Sequence, residues 1–486
     1  MNSVREKYKV VVGLEVHVQL QTQSKIFSGD SNSYGDDPNT NISAITLGHP
    51  GVLPMLNKKA VEYAIKMGLA CDSEINRINH FDRKNYFYPD LPKGYQITQD
   101  RAPICIGGHV PIQLSDGSNK EIRLNRIHME EDAGKSIHLQ NENDTLVDYN
   151  RAGVPLIEIV TEPEISSAEE ASLVLNEIRK IVRYLRICDG NMEEGSMRCD
   201  ANISIMPANS TVLGKKVEVK NMNSMKNVQR AINYEVQRQI KETEAGNSIP
   251  SETRTFNDQN GTTAGMRTKE ELNDYRYFPD PDLSPLVIDE AWLERLKKSM
   301  PALPREIKSR LVDQYGLPEY DAAVLTESRE MAEYFEEACS HTQKHKAISN
   351  WLMGPVKSWL NESNQDINDF KISPLHLAQL INMIDQGKVS NSLASKEIFP
   401  AMIADPSLSP LNLAEQNNFI QNSDSDVLLP IIDEILQSLP DKVKAYRNGK
   451  KGLIGLFMGE LMKKSKGKAD PKLANELLRN KLEGNE

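Results

Sequence analysis

The sequence predicts an α+β protein whose first part is an antiparallel sheet with helices and whose second part is helical throughout. Between residues 8 and 290, apolar and polar residues alternate over several short runs, which is the period of a half-buried strand. From residue 292 onward, amphipathic helical patterns punctuated by prolines replace these runs. The length of 486 residues suggests about three domains. We predict them at 1–292, 293–405 and 406–486.

The opening strand has the clearest alternation. Within KVVVGLEVHVQLQ, four aliphatic residues fall on one face, whereas Glu15 and His17 fall on the other. Residues two apart on a strand point the same way and lie roughly 6–7 Å apart, so these two form a polar pair. Further strands are predicted around the turn SDGS (115–118) and in VPLIEIV (154–160), CDANISIM (199–206) and KKVEVKNMN (215–223).

Two helices are predicted among these strands. The first begins at the capping box of Ser167 and Glu170 and is expected to end at Asp189-Gly190. The second begins near Asn223 or Ser224, has apolar residues at i+4 spacing and is expected to stop at Gly246. Each helix therefore has one apolar stripe that can cover a sheet.

Polar side chains recur on one face of the later strands. Asp200 and Asn202 share a face, as do Glu218 and Lys220, and the run HMEED (128–132) adds three consecutive carboxylates. Carboxylates with one histidine suit Mg²⁺ or Mn²⁺ rather than zinc. The pattern is equally consistent with faces that converge on a pocket and with the solvent-facing side of an antiparallel sheet.

A second candidate site is FDRKNYFYPDLPKGYQI (81–97), in which cations alternate with aromatic rings. Arg83, Lys84 and Lys93 are the cations of this stretch. This composition suits a base stacked on a ring with phosphates held nearby. A loop bounded by proline and glycine, with a small core of its own, is an equally good interpretation.

Charge is unevenly distributed along the chain. The net charge is -11, but residues 441–486 alone carry +6 and residues 1–440 carry -17. A basic end on an acidic body indicates a segment that binds a polyanion, with four lysines in the run 463–468. The competing interpretation, slightly favoured by charge alone, is a solvated lysine-rich helix.

Several classes of protein are disfavoured. No stretch approaches the ~18 uncharged apolar residues that a membrane span requires, and no secretory or transit segment precedes the first strand, so we expect a cytoplasmic protein without a membrane partner. The five cysteines form no CxxC pair, which argues against a disulfide scaffold. No motif for an amide-hydrolysing nucleophile is found.

Several long motifs carry a resemblance to a known family. VVGLEVHVQLQTQSKIFS, FDRKNYFYPDLPKGYQITQ, IHMEEDAGKS, NRAGVPLIEIVTEP, GNMEEGSMRCDANIS and DYRYFPDPDL occur in this order. Together they resemble the B subunits of tRNA-dependent amidotransferases, the GatB/GatE family. The segment YRNGKKGLIGLFMGELMKKSKGKADPKLANELL is similar to the C-terminal module of the same family. The resemblance covers essentially the whole chain.

The resemblance implies a cradle-like catalytic domain, an all-α helical domain and a small helical tail domain that binds tRNA. It implies an ATP-dependent carbon–nitrogen ligase that converts misacylated Glu-tRNA(Gln) or Asp-tRNA(Asn) to Gln-tRNA(Gln) or Asn-tRNA(Asn). In that family the B protein uses ATP and Mg²⁺ to phosphorylate the side-chain carboxylate. Ammonia delivered from a separate amidase, the A protein of the complex, then attacks. A small third protein, called C, makes the complex a heterotrimer.

The resemblance also implies functional residues. The expected catalytic and metal-binding residues are Glu15, His17, Glu130 and Glu218, with Asp200 and Asn202 beside them. Weaker candidates for contacts with the phosphates of ATP are Lys84, Lys93, Arg151 and Lys220. Many family members carry a zinc-binding cysteine cluster after the first strand, but IFSGDS (26–31) contains no cysteine, so we expect no zinc.

Two other hypotheses compete with a component of a ligase. One is a non-catalytic tRNA-binding assembly protein, and the other is a stand-alone Mg²⁺-dependent hydrolase. Retention of the four expected metal ligands argues against a decayed site. Consumption of ATP that depends on a charged tRNA would separate the ligase from both alternatives.

Overall fold

The computed structural model describes residues 6–139, 144–268, 275–417, 419–420, 425–465, 469 and 471–483. The chain divides into two compact units, Met1–Leu303 and Pro304–Glu486. Within the described residues, all strands lie in the first unit and the second consists of helices, which confirms the predicted α+β class with a helical C-terminal region. None of the described helices is long and apolar enough to cross a membrane.

The first unit contains seventeen described strands and four helices. Its strands are β1 Tyr8–Gln19, β2 Glu74–Ile75, β3 Ile78–Asn79, β4 Asp82–Asn85, β5 Tyr95–Thr98, β6 Cys105–Ile106, β7 His109–Gln113, β8 Asn119–Glu131, β9 Lys135–His138, β10 Thr145–Asp148, β11 Pro155–Thr161, β12 Met197–Pro207, β13 Val217–Lys220, β14 Glu252–Asn257, β15 Thr262–Thr268, β16 Phe278–Pro279 and β17 Leu286–Val287. Its helices are α1 Lys58–Ala70, α2 Ala168–Tyr184, α3 Met225–Glu244 and α4 Glu290–Lys298.

One large sheet organises this unit. Its main path runs β15-β14-β13-β12-β1-β11-β8-β5-β4-β16, and β2, β6 and β7 join beside it. The paired strands are antiparallel except β13 and β14, which are parallel. The long strand β1 pairs with β12 along one edge and with β11 along the other, so it joins the two halves of the sheet.

The apolar face of the sheet forms the core of the unit. Leu14, Val16 and Val18 on β1 are fully buried, as the alternation predicts. They belong to one hydrophobic cluster with the apolar stripes of α1, α2 and α3, for example Ile178 and Ile232. Because helices cover one face, the polar residues of the same strands project from the other.

The helix ends were predicted with mixed success. Ser224 caps α3 by accepting a hydrogen bond from the Asn227 backbone, and the helix ends two residues before Gly246, as expected. Ser167 likewise caps α2, but that helix ends at Tyr184 rather than at Asp189-Gly190. The cause is Arg186, which adopts a left-handed conformation with φ of 53°.

The second unit contains thirteen α-helices among its described residues. They are α5 Pro304–Asp313, α6 Glu319–Leu325, α7 Arg329–Cys339, α8 His345–Trp351, α9 Lys357–Ser363, α10 Pro374–Asp385, α11 Asn391–Leu393, α12 Phe399–Ala404, α13 Pro410–Gln416, α14 Ser425–Ser438, α15 Pro440–Arg447, α16 Ile454–Lys464 and α17 Pro471–Glu483. Several of them begin at a proline, which suits the first helical turn because the missing N–H has no partner there anyway.

The last helices have a hydrophobic cluster of their own. Leu428 of α14, Phe457 and Leu461 of α16 and Leu478 of α17 belong to it, and each is at most 1% exposed. Lys464 pairs with Glu434 at 2.5 Å. Residues 466–468 of the basic run lie outside the described residues, and a separate tail domain at 406–486 stays a prediction.

Candidate active site

The register of the central strands creates a polar surface on the uncovered face of the sheet. His17 on β1 lies opposite Glu158 on β11, and Glu158 lies opposite His128 on β8. On the other side of β1, Glu15 lies opposite Asp200 on β12. Because directly opposed residues project to the same face, the pairing brings these side chains into one wall.

This wall lines a cavity of about 950 Å³ in the first unit. The carboxylates and histidines of the wall fall into two clusters, and in each cluster the potential ligand atoms all lie within 4.8 Å of one another. We call His17, Glu130 and Glu158 the histidine cluster, and Glu15, Asp200 and Glu218 the acidic cluster. The four residues expected at the metal site all line this cavity, but two belong to each cluster.

The histidine cluster is held together by two imidazoles that share two carboxylates. His17 Nε2 lies 3.4 Å from Glu158 Oε2 and 3.7 Å from Glu130 Oε1. His128 Nε2 contacts the same two carboxylates: it lies 3.3 Å from Glu158 Oε2 and 3.7 Å from Glu130 Oε2. Thr98 on β5 adds a hydrogen bond to Glu130 of 3.2 Å.

Electrostatics of the histidine cluster favour charged side chains. Burial opposes a charge on His128, but Glu158 and Glu130 outweigh burial and raise the pKa of His128 to about 9. Burial likewise disfavours an ionised Glu158, yet the charge of His128 and hydrogen bonds from both imidazoles hold the pKa of Glu158 well below its usual range. His128 Nδ1 is buried without a hydrogen-bond partner among the described residues.

The acidic cluster is neutralised by a lysine. The Lys220 ammonium donates to Asp200 and lies 3.0 Å from Glu218 Oε1. Asn202 donates to Glu15 at 2.8 Å, and Thr253 donates to Glu218 at 2.8 Å.

The pKa shifts in the acidic cluster follow from these contacts. Burial opposes the Lys220 charge, but Asp200 and Glu218 raise the pKa of Lys220 far above its usual range. Burial, and then the nearby charge of Glu158, raises the pKa of Glu15. The two clusters are therefore electrostatically coupled through Glu158.

Lys84 also lines the cavity but, unlike Lys220, it contacts aromatic rings. Its Nζ lies 4.8 Å from the Tyr275 ring centroid and 5.9 Å from that of Tyr86. Burial opposes its charge, yet Glu130 and Tyr277 lead the interactions that raise the pKa of Lys84. Within the described chain its contacts are aromatic, so its charge faces the cavity without a carboxylate ion pair.

The other two expected phosphate contacts are not among the residues that line this cavity. Lys93 donates to both Glu131 oxygens at 2.6 Å and lines a second cavity of about 240 Å³. Arg151 donates to the carbonyls of Ala133 and Gly134 at 2.9 and 2.6 Å. Of the four candidates, the structure brings Lys84 and Lys220 into the large cavity.

Glu158 and His128 are site residues that the sequence reasoning missed. Glu158 lies inside VPLIEIV, whose pattern predicts only a strand, although one carboxylate amid six apolar residues is itself a signal. His128 opens the run HMEED, in which the three consecutive carboxylates are the more conspicuous sign of a metal site. Only Glu130 of that run's carboxylates lines the cavity, because Glu131 pairs with Lys93 and Asp132 pairs with Arg198 at 2.9 Å.

The donor atoms fit a hard divalent cation. Five carboxylates and one imidazole make up the two clusters, and neither contains a cysteine. This is the ligand chemistry of Mg²⁺ or Mn²⁺. The five cysteines of the chain are all free and buried.

Comparisons with known proteins identify the family of this chain. Residues 10–294 match the family model described as the GatB/GatE catalytic domain. Residues 333–482 match the model described as the GatB domain. The chain therefore belongs to the GatB/GatE family.

Curated relatives are similar over nearly their whole length. The protein from Thermodesulfovibrio yellowstonii is 49% identical over 472 residues, which are 97% of this chain and 98% of that protein. The protein from Geotalea uraniireducens is 50% identical over 481 residues, covering 98% of this chain and 100% of the relative. Both are named as the B subunit of an aspartyl/glutamyl-tRNA(Asn/Gln) amidotransferase.

Proposed function

We propose that this chain is the carboxylate-activating component of a glutamine-dependent, tRNA-dependent amidotransferase. Its substrate is aspartate or glutamate carried by a misacylated tRNA(Asn) or tRNA(Gln), and its second substrate is ATP. The observation that carries the proposal is the pair of clusters in one cavity, which combines ligands for a divalent cation with lysines for phosphate. Membership of the GatB/GatE family and the names of its relatives support the same reaction.

The chemistry explains why activation is needed. A carboxylate is a poor acyl donor because its leaving group would be an oxide ion. One carboxylate oxygen therefore attacks the γ-phosphorus of ATP, the bond from that phosphorus to the β–γ bridging oxygen breaks, and ADP leaves. Ammonia then adds to the acyl carbon, a proton is lost, and phosphate leaves as the amide forms.

The residues of the cavity suit this phosphoryl transfer, which depends mainly on position and charge neutralisation. Mg²⁺ held by the histidine or acidic cluster would supply positive charge to the phosphate oxygens. We assign Lys84 to a direct phosphate contact, because its ammonium faces the cavity without a carboxylate ion pair. Lys220 orders Asp200 and Glu218 and reaches the same cavity.

The other two residues expected to contact phosphate, Lys93 and Arg151, do not line the large cavity. Lys93 fixes Glu131, and Arg151 fixes the turn at Ala133 and Gly134 that follows Glu130 on the chain. We assign them to holding the ends of β8 and its neighbours in place. A direct contact with ATP is not assigned to either residue.

The proposal includes partners that supply ammonia. The sequence has no motif for an amide-hydrolysing nucleophile, so a separate amidase, the A protein, is expected to release ammonia from glutamine. The small C protein is expected to complete the heterotrimer. The helical C-terminal part, which contains the basic run, is assigned to tRNA binding. The complex is expected in the cytoplasm, where tRNA is charged.

The test is an ATPase measurement on the assembled complex. ADP formation should require misacylated tRNA, and neither uncharged tRNA nor correctly aminoacylated tRNA should replace it. Ammonium should substitute for glutamine, and this chain alone should be unable to use glutamine. ATP consumption that is indifferent to the aminoacyl group would overturn the proposal, and so would glutamine-dependent amidation by the isolated chain.

A further inference from the structure

One wall of the large cavity consists of tyrosines. We call Tyr86, Tyr88, Tyr275 and Tyr277 the aromatic wall, and all four line the same cavity as the two clusters. Each ring meets the next edge to face: the centroid distances are 5.9 Å for Tyr86–Tyr88, 5.9 Å for Tyr86–Tyr275 and 6.0 Å for Tyr275–Tyr277. Edge-to-face contacts of this kind hold the rings in fixed relative orientations.

The wall is most exposed at one end, the end formed by Tyr88. Tyr86, Tyr275 and Tyr277 are half-buried, whereas Tyr88 is 58% exposed. Aromatic rings that lie together at the mouth of a cavity form the kind of apolar surface that marks a ligand-binding groove. The exposed end of the wall is therefore where a ligand base would be expected to lie.

The wall is joined to the clusters by Lys84. The Lys84 ammonium lies 4.8 Å from the Tyr275 centroid and is influenced by Glu130 and Glu158 of the histidine cluster. A ligand with an aromatic base at one end and a carboxylate or phosphate at the other would match this order of rings, cation and metal ligands.

We propose that the aromatic wall stacks the unpaired adenine at the 3′ end of the aminoacylated tRNA. The inference rests on the proposed function and specifies how its RNA substrate is oriented. The amino acid of a charged tRNA is esterified to the ribose of its terminal nucleoside, so the terminal base and the reacting carboxylate belong to one short covalent unit. Unpaired RNA ends are recognised chiefly by stacking on aromatic side chains.

ATP also carries an adenine, but the exposure of Tyr88 favours the tRNA as the ligand of the aromatic wall. When the 3′ end of a tRNA enters the cavity, the rest of the molecule stays outside its open side. The rings that the end meets there are therefore partly exposed in the free protein. Tyr88 has this property, whereas a free nucleotide can be enclosed completely. Stacking of the ATP adenine is therefore an outcome that the experiment has to distinguish.

The first experiment compares three variants of the assembled complex. Tyr88→Leu removes the ring, Tyr88→Phe keeps it, and Tyr34→Leu removes a tyrosine that is 76% exposed and does not line the cavity. We expect the KM for misacylated tRNA to rise about tenfold or more in Tyr88→Leu, with the KM for ATP unchanged. Tyr88→Phe and Tyr34→Leu should resemble the wild type.

The second experiment isolates the base. Uncharged tRNA with and without its 3′-terminal adenosine is bound to the wild type and to Tyr88→Leu, with circular dichroism as the folding control. Removal of the adenosine should weaken binding to the wild type about tenfold and leave binding to Tyr88→Leu unchanged. Tyr277→Leu provides a second variant if Tyr88→Leu does not fold.

Three results would overturn the proposal. They are a rise in the KM for ATP instead of tRNA, an equal loss of affinity on adenosine removal in both proteins, and an unchanged KM for tRNA in folded Tyr88→Leu. The binding experiment needs no catalysis, so its outcome is separate from that of the proposed function. A failure of the proposed function would instead appear in the wild type, as ATP consumption independent of the aminoacyl group.

Discussion

The histidine cluster and the acidic cluster contain the same kind of carboxylates but are neutralised in different ways. In the first, Glu130 and Glu158 lie between two imidazoles. In the second, the Lys220 ammonium contacts two of the three carboxylates directly. An imidazole such as His17 can release its proton and become a ligand itself, whereas an ammonium competes with a metal ion for the same oxygens.

This difference indicates a division of labour. The histidine cluster offers one nitrogen and two carboxylates to a cation, and the cluster itself contains no ammonium group. We therefore expect it to bind a cation more tightly than the acidic cluster does. The acidic cluster already carries a fixed positive charge, so we expect weaker binding there and a larger role in orienting substrate phosphates. The predictions below test this contrast.

The largest effect is expected from Glu158→Gln in the histidine cluster. The change keeps the shape but leaves His17 and His128 with Glu130 as the only carboxylate that they share among the described residues. Misacylated-tRNA-dependent ADP formation should fall about 10³-fold, because oriented charge carries most of this catalysis. Glu169→Gln, an exposed glutamate at the start of α2, is the control. Near-normal turnover of Glu158→Gln would remove the histidine cluster from the reaction.

A smaller loss is expected from Glu15→Gln in the acidic cluster. The amide oxygen of the new glutamine can still accept the hydrogen bond from Asn202, and Lys220 continues to hold Asp200 and Glu218. ADP formation should fall about 10²-fold, while tRNA affinity hardly changes. If Glu15→Gln costs more than Glu158→Gln in the same assay, the proposed ranking of the clusters is wrong.

Lys220→Met should make the acidic cluster a better cation site. Removing the ammonium withdraws a positive charge about 3 Å from the carboxylates, so Mn²⁺ should bind about tenfold more tightly there. Electron paramagnetic resonance of Mn²⁺ titrated into wild type and variant measures this. Lys216→Met, which removes a nearby cavity lysine, is the control. Unchanged Mn²⁺ affinity would show that Lys220 does not compete with the metal.

The smallest effect concerns the pH dependence of stability without metal. The pKa of His128 is raised from its ordinary 6.5 to about 9 in the folded chain, so its contribution is fully present below pH 6.5 and is lost as pH rises through 9. With a chelator present, the advantage of the wild type over His128→Gln in free energy of unfolding should therefore shrink between pH 6.5 and 9. Urea unfolding at about pH 6, 7.5 and 9 measures it. A difference that stays constant over this range would contradict the charged assignment of His128.

Much of the first unit was predictable because the strand pattern is local. Alternation along β1 correctly separated Leu14 and Val16 from Glu15 and His17, since successive side chains on a strand point to opposite faces. The start of α3, expected near Asn223 or Ser224, was predictable for the same reason. The end of α2 was not, because a left-handed Arg186 lacks the glycine signal that usually marks a helix end.

The site was predictable only in part, because its partners come from strands far apart in the sequence. Alternation in HMEED puts Glu130 and Glu131 on opposite faces, but it does not tell which of them enters the cavity and which meets Lys93. Nothing in VPLIEIV reveals that Glu158 meets both His17 and His128. Strand order and register decide these contacts.

The sequence by itself therefore determined the α+β class, the family and the residue types of the site, because each depends on local patterns or on long motifs. The tertiary structure alone decided that the expected metal ligands divide between two clusters and that Lys84 and Lys220, rather than Lys93 and Arg151, line the cavity. The physical reason is register: pairing between distant strands sets which polar side chains become neighbours, and that pairing is specified by the packed core as a whole.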